Sequence, residues 1–215
     1  IVDVQWVDID DTEICFKTTQ GTLPDIDSVL KLHFDQKTAM IFNKEGKLLL
    51  TRRSASKMLW PDDWDGTVAS HPREGETYIS SAERRMPEEI GITCKMNYVN
   101  KFEYHVPYRN IGSENEVCGT LIGVVDNFDE SSLVLDEISE IKWITPDELK
   151  AEFENNRDSY CPWMAIALYF FADCDDTTLE KFDTLIKSWT TNELQQVYQN
   201  AIKHYIPDDN WRLIK

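Results

Sequence analysis

Basic charge is scarce in this chain. Its 215 residues carry 22 Lys and Arg against 39 Asp and Glu, a formal charge of −17. Such a field repels phosphate backbones, so general nucleic-acid binding is excluded as the main business of the protein. Long apolar runs are lacking too. The longest, Trp163 to Ala172, is far short of the ~20 residues that cross a bilayer, so no membrane span is expected. No leader pattern precedes the first strands, although a start at Ile1 leaves the true N-terminus open. The five cysteines are odd in number, scattered and without a Cys-x-x-Cys, which argues against a disulfide frame or a structural zinc site. Reduced thiols fit a cytoplasmic location. What the chain does have is 41% hydrophobic and 11% aromatic residues, enough for a real core, and a length that suits one domain.

No internal repeat or low-complexity stretch appears. Residues 1–22 alternate as early strands. Thr38–Phe42 and Lys47–Arg52 predict a β-hairpin around Asn43-Lys44-Glu45-Gly46. Trp60 to Gly66 is a turn cluster, with a short strand at Thr67–Ala69. Glu76–Ile90 predicts a helix, capped by Thr77 and closed by Gly91. Asn97–Pro107, Val117–Val125 and Ile138–Ile144 alternate as strands, and Thr145-Pro146 opens a short helix at Asp147–Glu152. Helical periodicity then covers Trp163–Phe171, Thr178–Ser188 and Thr191–Tyr205. The fold class is α+β: one domain over 1–215, with N-terminal strands in 1–30 and a helical C-terminal extension over 173–215. That extension suits a lid or a dimer face, so monomer and homodimer both stay open.

Chemistry concentrates in residues 71–91, HPREGETYISSAERRMPEEIG. A glutamate-rich helix after a glycine-containing loop resembles the Nudix signature, whose glutamates bind the divalent ion that accompanies a diphosphate. Glu76, Arg84, Glu88, Glu89 and Gly91 match it. Ser70 stands at a position where glycine is usual, and Arg85 replaces the first glutamate of the central Arg-Glu pair. Hydrolysis needs several acidic ligands to activate water, so Arg85 argues against a pyrophosphohydrolase. Pro87 inside this helix costs up to ~3 kcal/mol, which sets it apart from an ordinary solvated helix.

Over a wider span the chain resembles the type 1 isopentenyl-diphosphate isomerases. The matching segments are LHFDQKTAMIFNKEGKLLLTRRSASKMLWP (32–61), SHP (70–72), the Arg-Arg helix, ENEVC (114–118) and CPWM (161–164). The resemblance implies a Nudix-type mixed β-sheet sandwich with a Nudix helix and additional C-terminal helices. It implies a prenyl diphosphate as the small-molecule partner, gripped by Arg53, Lys57 and Arg85, with Glu89 holding its Mg²⁺. It implies a second divalent ion, Zn²⁺ or Mn²⁺, on His33, His71, Glu114 and Glu116. His33 fits only with one inserted residue, and a third histidine expected earlier is missing where Asp25 and Asp27 stand. Glu116 would protonate the alkene with Tyr104 assisting, and Trp163 would face the carbocation, worth ~2 kcal/mol when desolvated. Spacing alone says less. Glu114 and Glu116 at i and i+2 share one face of a strand, and the basic cluster Lys47, Arg52, Arg53 and Lys57 suits bidentate phosphate binding in an otherwise acidic chain. Trp60, Trp64 and Trp143 are expected to pack, and His105 and His204 to lie on surfaces.

One departure governs the function. Isomerisation needs two opposed acid/base groups, and the family's second group is a cysteine two residues before the His-Pro. Here that position is Ala69, while the neighbouring Ser70 faces the other way and Cys118 and Cys161 lie elsewhere. An introduced substitution, an isomerase using another residue or water, and a protonation-initiated terpene cyclase all fit that alanine. A Nudix pyrophosphohydrolase and a non-catalytic diphosphate-binding protein are the remaining alternatives.

Overall fold

The computed structural model describes residues 4–9, 13–18, 34–126, 138–174, 180 and 182–214, with the backbone alone for residues 4–9, 13–18 and 34. Two early strands, β1 (Val4–Ile9) and β2 (Glu13–Thr18), form an antiparallel ribbon. The predicted hairpin is present as β3 (Phe34–Asn43) and β4 (Leu48–Arg53), turning through Gly46 at φ 77°. Only a residue without a Cβ adopts that conformation freely. Then come β5 (Trp64–Asp65) and β6 (Val68–Ser70), and helix α1 (Tyr78–Ile90). Long strands β7 (Asn97–Tyr108) and β8 (Gly112–Val125) follow, then β9 (Ile138–Ile144). Helices α2 (Pro146–Asn155), α3 (Pro162–Phe170), α4 (Asp183–Trp189) and α5 (Asn192–Tyr205) lead to β10 (Trp211–Ile214).

Eight strands make one mixed sheet in the order β10-β7-β8-β3-β4-β5, with β6 paired to β3 and β9 to β4. The one parallel pairing in it, β3 with β8, puts Phe34 opposite Glu116 and Thr38 opposite Thr120. Alternation sends Ala39, Ile41, Val68 and Leu121 to one face, against Ala82, Met86 and Ile90 of α1. Met40, Phe42, Leu48 and Ile122 go to the other, against α3 and α5. Both faces are therefore covered, and the sheet is the middle layer.

Helix α1 follows local rules. Thr77 and Ser80 form a capping box, and Gly91 closes the helix in the left-handed region at φ 66°. The buried positions Ala82, Arg85, Met86, Glu89 and Ile90 recur at i, i+3 and i+4, so two charged residues lie on its inward stripe. Pro87 is accommodated without ending the helix.

Two differences from the sequence reading stand out. The strand expected from Val117 begins at Gly112, which puts Glu114 and Glu116 inside the ladder opposite Val106 and Tyr104. The C-terminal segment does not stay helical: Trp211–Ile214 is a strand that pairs with β7, Trp211 opposite Tyr104. Alternating Trp, Arg, Leu and Ile is strand-like in so short a run, and the open edge of β7 supplies the partner. Of the helix expected over 178–188, the described portion runs from Asp183 to Trp189.

Candidate active site

The sheet and the hairpin bring five of the singled-out side chains together on the α3 face. Register places Tyr104 of β7 directly opposite Glu116 of β8, with Glu114 two residues away on the same face. His71, just past β6, puts Nε2 3.4 Å from Glu116 Oε1. Glu114 and Glu116 share a side-chain hydrogen bond. Burial pushes Glu114 well above the carboxylate range, and the adjacent Glu116 adds to that. Burial likewise raises Glu116 to about 8, against the hydrogen bond from Glu114, which lowers it. Tyr104 is fully buried, is held far from ionisation by that burial, and donates to Gln36 Oε1 at 3.1 Å.

Trp163 closes the far side. At the start of α3 its indole Nε1 donates to Asp65 Oδ1 at 2.8 Å. Its ring meets Trp60 edge-on at 5.2 Å and lies 6.2 Å from Tyr104, while Trp60 sits 4.6 Å from Tyr108. Arg53 enters from β4, its guanidinium 5.5 Å from the Trp163 ring and 3.7 Å from Asp65. Its Nε and Nη2 donate to the carbonyls of Trp60 and Leu59 at 3.1 and 3.0 Å. Arg53 therefore pins the 54–60 loop over the aromatic wall, and Lys57 is half-buried in that loop.

Two candidates lie elsewhere. Arg85 and Glu89 sit on the inward stripe of α1, on the opposite face of the sheet, joined at 2.6 Å; Arg85 also reaches Glu88 at 3.1 Å. Arg84 grips Glu76 through two contacts of 2.6 and 3.0 Å, which holds the Glu76 carboxyl down at about 2. His33, with the Asp25 and Asp27 region, lies outside the described residues. His204 is exposed and pairs with Asp158 at 2.6 Å. His105, expected on a surface, is half-buried, its backbone N–H bonded to Asn210 O at 2.8 Å where the chain turns into β10. Trp60 and Trp64 are buried as expected and Trp143 partly so.

The donors suit a divalent ion in kind. Two abutting carboxylates, Glu116 buried and Glu114 half-buried, converge with an imidazole, and among the described residues Glu116 Oε2 has no hydrogen-bond partner. Two carboxylates this close cannot both ionise without a cation. Among the described residues no three His, Cys, Asp or Glu side chains form a ready cage; His33 is the further donor that the resemblance implies.

Sequence reasoning missed Asp65, Gln36 and Lys37. Asp65 is fully buried and fixes both Arg53 and Trp163; the Trp-Asp-Gly turn was its only signal. Lys37 is fully buried on the α1 face, donating from Nζ to Ser70 Oγ, and burial lowers it to about 8 against the pull of Glu89. Ala69, half-buried on β6, stands opposite Thr38, and Ser70 faces away from it, as alternation predicts.

A Nudix domain model matches residues 36–164, more than half of the chain. Curated relatives are similarly consistent. The isopentenyl-diphosphate Delta-isomerase of Haloarcula marismortui is 36% identical over 138 residues, 61% of this chain and 72% of that protein. Its counterpart in Halobacterium salinarum is 35% identical over 141 residues, 61% of this chain and 63% of that protein. Isopentenyl-diphosphate Delta-isomerase 2 of Photorhabdus laumondii is 36% identical over 124 residues, 57% and 68% of the two chains. With a Nudix domain built around a Glu-Asn-Glu whose last carboxyl is buried and a tryptophan wall, the chain belongs to the isopentenyl-diphosphate Delta-isomerase family, as a divergent member with alanine at the cysteine position.

Proposed function

We propose that the protein is a metal-dependent enzyme of isoprenoid metabolism. It protonates the C=C bond of a prenyl diphosphate and interconverts isopentenyl and dimethylallyl diphosphates. One observation carries the reading: Glu116 is a buried carboxyl set directly opposite Tyr104, beside Glu114 and His71, and facing an aromatic wall. A general acid has to be protonated where it works, and burial favours the protonated form here.

Arg53 and Lys57 bind the diphosphate on the hairpin side. Arg85 and Glu89, which the resemblance assigns to the diphosphate and its Mg²⁺, pair with each other at 2.6 Å on the α1 face and would have to part and reach the edge of the sheet to join them. A second ion, Zn²⁺ or Mn²⁺, on His71, Glu114 and Glu116 with His33 would fix the carboxylates and supply charge beside the reacting alkene. Glu116 donates to the terminal alkene carbon, and Tyr104, kept neutral by burial, orients that transfer. Trp163 and Trp60 present π-faces to the tertiary cation that forms, at ~2 kcal/mol for a desolvated contact. Asp65 keeps the Trp163 ring from turning.

Incubation of isopentenyl diphosphate in D₂O with divalent metal, read by NMR, tests the reading. Deuterium in a methyl group of dimethylallyl diphosphate is expected, and an unlabelled, unchanged substrate would overturn it. Ala69 supports a second reading, a protonation-initiated cyclase, because a cation denied its usual base survives long enough to meet a second alkene. Geranyl diphosphate in the same assay separates the two, since a cyclase would lock deuterium into a ring.

A further inference from the structure

Four residues stand side by side across the sheet: Ala69 on β6, Thr38 on β3, Thr120 on β8 and Asn100 on β7. Residues opposed in a ladder share a face, with Cβ atoms about 5 Å apart. The row lies on the α3 face, the same face as Glu116. Thr38 and Thr120 are fully buried and Asn100 nearly so. Among the described residues, Thr38 Oγ1, Thr120 Oγ1 and Asn100 Oδ1 find no hydrogen-bond partner. The Asn100 amide nitrogen is already committed to Phe170 O at 2.8 Å. Natural proteins seldom leave buried polar atoms unpaired, and three in one row point to a polar guest.

Gly66 sharpens the placement. A Cβ there would lie 2.9 Å from Thr38 Oγ1, so only glycine lets the backbone pack this closely beside that hydroxyl. Gly66 also follows Asp65, which holds Trp163, so the row borders the aromatic wall. Two hydroxyls on adjacent strands, too far apart to bond each other, suit a single bridging water with two partners.

We propose that Thr38 and Thr120 hold an ordered water beside Ala69, and that this water is the base standing in for the family's thiol. The proposal rests on the isomerase reading. Glu116 gives its proton to the terminal CH₂ of isopentenyl diphosphate, whose π pair forms the new C–H bond and leaves a tertiary cation at C3. The C2–H bond then breaks. Its electron pair becomes the C2=C3 bond, and its proton goes to the water, which carries it to bulk solvent by exchange when the product leaves. Glu116 regains a proton from solvent, so the sum is isomerisation with no co-reactant. A C–H beside a tertiary cation is far more acidic than hydronium, so even a weak base suffices. The thiol's role passes from Ala69 itself to the row beneath it.

The test compares wild type, Thr38→Val, Ala69→Cys and the double variant, reading isomerisation in D₂O by NMR and folding by thermal melting. Thr38→Val keeps shape while removing an unpaired hydroxyl, so Tm should hold or rise. In wild type it should slow isomerisation ~10²-fold, the scale of a lost general base. With the thiol restored by Ala69→Cys, the same change should cost less than about threefold, because the two bases then act in parallel. Equal losses in both backgrounds, no loss in wild type, or a tertiary alcohol as product would overturn the water's role as base. Absence of exchange in every variant, Ala69→Cys included, would instead sink the isomerase reading. The water site then stands or falls on a high-resolution crystal structure: wild type should show a water within hydrogen-bond distance of both hydroxyls, and Thr38→Val none.

Discussion

The two faces of the central sheet treat polar groups in opposite ways. On the α1 side, polar groups are paired: Arg84 with Glu76 and Arg85 with Glu88 and Glu89 as ion pairs, and Lys37 with Ser70 by a hydrogen bond. On the α3 side, Glu116 Oε2 and the Thr38, Thr120 and Asn100 oxygens are buried without partners among the described residues, beside aromatic rings. Matched charge fixes a helix to a sheet and keeps a phosphate grip in position. Unmatched polar atoms are a standing cost, of about 1–3 kcal/mol each, that a ligand relieves. The difference separates the face that holds still from the face that reacts.

Glu116→Gln breaks the comparison hardest. The amide cannot supply a proton, so deuterium uptake from D₂O should fall by ~10³-fold or more, with little change in the melting temperature. Retained exchange would make the α3 face merely structural. Arg85→Met tests the other face. It removes the guanidinium that pairs with buried Glu89 at 2.6 Å, and urea unfolding should register a loss of about 3–5 kcal/mol. A loss below about 1 kcal/mol would mean that Glu89 already has another cation.

Lys37→Met goes the opposite way. The lysine is held at about 8 in the fold against 10.5 when unfolded, so below pH 8 the unfolded chain is the better host for its proton. The cost of burying the charged form is complete there and fades as pH climbs from 8 to 10.5. The variant should therefore be more stable than wild type by up to about 3 kcal/mol at pH 7. Its advantage should vanish above about pH 10.5 in a pH series of unfolding curves, and a pH-independent difference would assign the gain to packing. Smallest is Glu140→Ala. It removes the exposed Arg52–Glu140 pair of 3.2 Å and should shift stability by less than about 1 kcal/mol, an expectation that a second, more costly result would refute.

Much of the fold was written in local pattern. The Thr77 cap, the Gly91 stop and the Asn43–Gly46 turn each encode a boundary within a few residues, so their elements emerged where expected. The site was half legible. Glu114 and Glu116 announced themselves by spacing, and Arg53, His71 and Trp163 by family resemblance. Asp65 and Lys37 could not be read this way, because their importance comes from partners far away in the chain, Trp163 and Ser70. Gln36 and Thr38 sit in the polar run Asp35-Gln36-Lys37-Thr38, which reads as the wetted start of a strand. Alternation distinguishes two faces but not which one meets water, and here helices cover both. The C-terminal strand was hidden for a related reason: four residues carry too little periodicity, and the deciding partner is the edge of β7.

That strand has a consequence for how the protein is made. β7 carries Tyr104, yet its outer neighbour β10 is synthesised about a hundred residues later. While the ribosome is still adding the C-terminal helices, β7 presents its free backbone donors and acceptors to whatever is near. The last strand is thus a closing clasp. Until it arrives, the nascent enzyme exposes a sticky seam beside its own active site, and folding helpers that mask edge strands have most to offer in that interval.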